Sequence, residues 1–69
     1  MPYYSVDLTS LPREQRQQVC DTIDKLSWES FPQYSVDGLV SVEFLWKRRE
    51  DVLSLGIIPP GCSCVKLGG

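Results

Sequence analysis

The 69-residue chain contains no histidine. That absence removes the commonest general base, the commonest metal ligand and the side chain whose ordinary pKa lies nearest neutrality. A Ser-His or Cys-His nucleophile cannot be assembled within one chain. Cysteine is scarce and odd in number, at Cys20, Cys62 and Cys64. Small secreted disulfide frameworks carry four, six or eight cysteines, so reduced thiols are expected here. No apolar run approaches the roughly 20 residues of a membrane-spanning helix. The opening Met1-Pro2-Tyr3-Tyr4-Ser5-Val6-Asp7 lacks the basic start and apolar centre of a secretory signal. The expectation is a soluble cytoplasmic protein with no membrane role.

A basic excess is also missing. Seven Lys and Arg against nine Asp and Glu leave a net charge of −2. Nucleic-acid binders carry the opposite balance, because neutralising phosphates dominates their affinity. No nucleic-acid partner is expected. The charge is nevertheless uneven. Residues 1–45 hold Arg13, Arg16 and Lys25 against seven acidic residues, whereas residues 46–69 hold Lys47, Arg48, Arg49 and Lys66 against Glu50 and Asp51 alone. Phosphate-cradling glycine loops and spaced carboxylate pairs do not occur. Neither a cofactor nor an enzymatic activity is expected.

Hydrophobic residues at 42% and charged residues at 23% make an ordinary globular mixture, which argues against disorder. Residues 1–69 therefore read as a single domain. A core of this size supplies only about 3–5 kcal/mol, so association with a partner or a second copy is a reasonable source of added stability.

Periodicity orders the chain. Residues 3–8 alternate, with Tyr4, Val6 and Leu8 on one face, and predict a half-buried strand. Thr9-Ser10 offers an N-cap and Pro12 a first-turn residue for a helix over 11–27, with Val19, Ile23 and Leu26 facing inward. Residues 30–36 form a weaker strand; Pro32 lacks a donor, which places the strand at an edge or starts it just after Pro32. Asp37-Gly38 predicts a type I′ hairpin. Residues 39–46 then put Val40, Val42, Phe44 and Trp46 on one face and Leu39, Ser41, Glu43 and Leu45 on the other. Residues 47–56 predict a short helix closed by Gly56 in the left-handed C′ position. Pro59-Pro60-Gly61 ends it, and residues 62–67 alternate again.

The resulting order is an α+β fold on the ferredoxin-like βαββαβ plan, a sandwich of an antiparallel sheet with helices on one face and a short second helix. The alternative is a three-stranded α+β domain with residues 30–36 as loop. In the first plan the segments 3–8 and 39–46 are central. The plan resembles that of RNA-recognition domains, which stack bases on sheet aromatics. Among Tyr3, Ser5, Asp7, Leu39, Ser41, Glu43 and Leu45 only Tyr3 is aromatic, so the resemblance implies topology without base stacking.

Four further features carry candidate chemistry. Cys62-Ser63-Cys64 reads as small apolar packing, with a thiol or metal site as the alternative. Lys47-Arg48-Arg49 reads as a solvated corner or as a charged rim for a protein partner. Trp46 continues the buried face, whereas Trp28, past the helix, either covers the core or anchors a contact. The terminal Gly68-Gly69 resembles the tail of ubiquitin-like and sulfur-carrier proteins, which implies activation of the Gly69 carboxylate. The leading expectation is a non-catalytic protein-binding module, an inhibitor, adaptor or accessory subunit of the size and composition of phage-encoded or regulatory inhibitors, possible also as a homodimer. Its contact surface is Tyr3, Trp28, Leu39 and Leu45, with Lys47, Arg48 and Arg49 as the rim.

Overall fold

A computed structural model describes residues 3–68. It is a small α+β structure in which strand β1 (Tyr3–Asp7) leads to helix α1 (Arg13–Leu26), then to strands β2 (Ser27–Ser35), β3 (Gly38–Trp46) and β4 (Cys64–Gly68). All strand pairs are antiparallel, in the order β2-β3-β1-β4. The two segments with the most regular alternation are therefore central, and the proline-bearing strand is at an edge. Among the described residues no helix is long and apolar enough to cross a membrane.

Helix α1 starts without the expected Thr9-Ser10 cap. Pro12 is the N-cap residue, and its carbonyl accepts from the amides of Gln15 and Arg16. The two hydroxyls are used elsewhere: Thr9 Oγ1 donates to Asp7 Oδ1 at 2.6 Å and Ser10 Oγ donates to the Gly61 carbonyl at 3.1 Å. Val19, Cys20 and Ile23 form the buried stripe. At Ser27 the backbone turns extended and β2 begins with no loop between. The three-stranded alternative is thereby overturned, since residues 30–36 pair with β3 almost throughout.

The ferredoxin-like βαββαβ sandwich is not matched, because α1 is the one α-helix among the described residues. The expected second helix is a single 3-10 turn, Val52–Leu55. Its length is set by its ends. Asp51 Oδ1 accepts from the Leu53 amide at 2.9 Å, which caps the start, and Gly56 stands in the left-handed region at φ 69° and ψ 17°, which stops it. Four residues remain between those signals. The connection still does a helix's packing: Val52 and Ile58 are buried, and Ile57 and Cys62 pack against the core. Helix α1 packs on β2 and β3. The buried side chains form one cluster, with Trp46, Phe44, Leu8, Ile23, Val6 and Val42 wholly enclosed. Tyr4 stacks on Phe44 at 5.6 Å, Phe44 meets Trp46 edge-on at 5.8 Å, and Trp46 Nε1 donates to the Glu50 carbonyl at 2.9 Å. The chain exposes 4352 Å², against about 4,400 Å² for a compact monomer of this mass, so folding buries an ordinary share of surface.

The β2–β3 hairpin departs from expectation in two ways. Its turn is Val36-Asp37, between Ser35 and Gly38, and neither has positive φ; Gly38 alone does, at 95°. The two-residue turn therefore precedes the glycine, in place of a type I′ Asp37-Gly38 turn. The second departure lies further along. Gln33 pairs with Ser41 but Tyr34 pairs with Leu39, so Val40 is skipped. Below this bulge the facing is reversed: Leu39 is buried and Val40 only half-buried.

Candidate functional site: the uncovered face of the sheet

In an antiparallel sheet, residues directly opposite share a face. The registers therefore place Phe31, Glu43, Ser5 and Val65 in one row across the side away from α1. Glu29, Leu45 and Tyr3 form the next row, and Gln33, Ser41 and Asp7 the third. All of these are exposed or half-buried. Phe31 retains 45% of its accessible surface and Val65 52%, so both are about half open to solvent.

The centre of this face is polar but tied down. Tyr3 Oη donates to Glu43 Oε1 at 2.7 Å across the β1–β3 pair. The bond, aided by desolvation and by the carboxylate's charge, holds the Tyr3 phenol above its usual pKa, so Tyr3 stays a neutral donor. Apolar surface flanks that pair, from Leu45 opposite Tyr3 and from Phe31 and Val65 toward the two edges.

The expected contact residues divide. Tyr3 and Leu45 stand directly opposite one another on the uncovered face. Trp28 is skipped between Ser27 and Glu29 in the pairing with β3 and keeps 54% of its surface. Lys47, Arg48 and Arg49 are exposed just past the end of β3, at the same end as Trp28, Tyr3 and Leu45. Among the described residues their one ion pair is a loose contact from Arg48 Nε to Glu50 Oε2 at 3.9 Å. Leu39 is a correction. It is 7% exposed, at the far end of β3, because the bulge at Val40 turns it into the core. Phe31 and Val65 were missed. The Glu29, Phe31, Gln33 alternation was the available signal for Phe31, and Pro32 obscured it.

The other side of the hairpin holds a groove of about 320 Å³ between α1 and the turn, lined by Arg13, Arg16, Gln17, Tyr34, Val36, Asp37, Gly38 and Leu39. Arg16 is committed there: its guanidinium donates to the carbonyls of Leu11, Leu39 and Thr9 at 2.9, 3.2 and 3.2 Å. Arg13 and Asp37 meet only at 3.9 Å, both about three-quarters exposed.

The cysteines are free thiols. Cys62 and Cys64 pack against the core, and Cys62 Sγ lies 3.8 Å from Ser10 Oγ. Burial, with a smaller contribution from Asp51, pushes the Cys64 thiol up; burial, with Asp21 and Asp24, does the same to Cys20. A raised thiol is the reverse of an activated nucleophile. Among the described residues no three Cys, Asp or Glu side chains converge to hold a metal ion. Gly68 is held in β4 opposite Tyr3, and Gly69 lies outside the described residues.

No protein-family model matches the chain, and neither the curated proteins nor the solved structures provide a significant match.

Proposed function

We propose that this chain is a non-catalytic protein-binding module that docks through the uncovered face of its sheet. The observation that carries the reading is the placement of Tyr3, Leu45, Phe31 and Val65 on one surface that no helix shields. Apolar and aromatic side chains in such a setting are the usual core of a protein contact. The edges of the sheet favour face docking over strand addition. Pro32 removes a donor in the middle of β2, and Lys66 places a charge in the middle of β4; both devices discourage edge pairing. Lys47, Arg48 and Arg49 rim the end of the face that carries Tyr3, Leu45 and Trp28. The partner that fits is a protein with an apolar patch bordered by carboxylates at that end.

The test is amide-shift mapping of the isotope-labelled chain against a protein captured from its source cells. Perturbations centred on Tyr3, Leu45, Phe31 and Val65, together with loss of capture by Leu45→Glu, are expected. Perturbations confined to the outer side of α1, at Gln17 and Asp21, would overturn the reading.

A further inference from the structure

The β2–β3 hairpin ends in the most exposed apolar side chain among the described residues. Val36 keeps its whole surface and Tyr34 keeps 66%. Both line the groove between the turn and the start of α1, and this groove lies on the opposite side of the sheet from Phe31 and Leu45. Its charged members are three. Arg16 is spent on three backbone carbonyls. Arg13 and Asp37 remain, one of each sign, side by side next to the apolar pair and barely engaged with each other at 3.9 Å. An exposed pair of this kind is worth little within one chain and is easily exchanged.

A patch that sets one cation and one anion side by side next to apolar residues is complementary to itself across a two-fold axis that passes between the charges. A two-fold rotation sets Arg13 of each copy against Asp37 of the other and brings the two Val36 side chains together, which is the defining property of an isologous contact. A purely acidic partner would meet Asp37, and a purely basic one Arg13. We infer that the hairpin tip and the N-terminal turn of α1 form a homodimer contact, with Arg13–Asp37 pairs exchanged between two copies and Val36 and Tyr34 beside the axis. The surface is separate from the uncovered sheet face, so the two proposals stand or fall independently.

Charge reversal tests this directly. Both residues lie on the surface, and circular dichroism verifies that Arg13→Asp and Asp37→Arg keep the fold. Sedimentation velocity of the wild-type chain from micromolar to about millimolar concentration is expected to show a monomer–dimer equilibrium. Each single reversal should weaken it by about tenfold or more, because symmetry makes one substitution count at two contacts. Mixing the two variants in equal amounts should restore dimer. One copy then carries an acid at both positions and the other a base at both, so each contact across the axis still joins opposite charges. Val36→Ser should weaken every combination. A wild-type chain that stays monomeric throughout overturns the inference. So does a dimer indifferent to both reversals, including one lost on Leu45→Glu, which would place the contact on the other face.

Discussion

Arg16 Nη1 donates to the Leu39 carbonyl at 3.2 Å, joining the first turns of α1 to β3 across 23 positions of sequence. The same guanidinium holds the carbonyls of Leu11 and Thr9, so one side chain satisfies two acceptors along the connection from β1 to α1 and a third on β3. Arg16→Ala should cost about 2 kcal/mol, given charge-assisted bonds in a half-exposed setting. Arg16→Lys should recover only part of that, since an ammonium lacks the planar fork. Urea denaturation measures both. A loss below about 0.5 kcal/mol for the alanine variant would show that water replaces the bonds at no cost.

Ser27 presents the opposite case. It is 7% exposed where α1 passes straight into β2, and its hydroxyl has no hydrogen-bond partner among the described residues. Burying a hydroxyl unpaired costs free energy that alanine does not incur. Ser27→Ala should therefore stabilise the fold by about 1 kcal/mol, seen as a higher urea midpoint with an unchanged slope. A clear destabilisation would mean that the hydroxyl has a partner.

The bulge at Val40 predicts an inequality between neighbours. Leu39 is in the core and Val40 is half-buried, the reverse of a strict alternation counted from Trp46. Leu39→Ala should cost about 2–3 kcal/mol and Val40→Ala under about 1 kcal/mol. Thermal or chemical denaturation of the pair decides the register: equal losses, or a larger loss at Val40, would contradict the bulge.

Asp7 sets an acid-dependent contribution. Its Oδ1 accepts from Thr9 Oγ1 at 2.6 Å and from the Thr9 amide at 2.9 Å, and these bonds, with a smaller effect of Arg16, hold the carboxyl below its ordinary value of 3.8. A carboxyl depressed in the folded state adds stability that is fully present above its unfolded pKa and is lost as pH falls through the folded one. The gap in stability between the wild-type chain and Asp7→Asn should thus be open at about pH 6 and shrink toward about pH 2.5. A gap independent of pH over that range would remove the charge from the account.

Much of the layout was legible in the residues. Alternation at Tyr4, Val6 and Leu8 and at Val42, Phe44 and Trp46 identified both central strands and their inward faces, because a side chain's facing repeats every second residue. The spacing of Val19, Ile23 and Leu26 located α1, and Pro32 marked an edge. Gly56 was legible as a left-handed stop. What failed had local causes. The hydroxyls of Thr9 and Ser10 met competing acceptors at Asp7 and Gly61 and so did not cap α1. Asp51, inside the stretch 47–56 expected to be helical, is a cap, which left one 3-10 turn where a helix was expected. Of the surface expected to bind, Tyr3, Leu45, Trp28 and the basic triplet share one end of the sheet, and Leu39 does not belong with them.

Composition and pattern alone determined that the chain has an amphipathic helix, strongly alternating strands and no histidine, since these depend on residue identity and on periods of two and 3.6. Tertiary structure alone decided the bulges at Trp28 and Val40, the groove between α1 and the hairpin turn, and which apolar side chains were left on the surface. Those outcomes arise from how neighbouring strands pair, and a pairing that skips one residue reverses every facing beyond it.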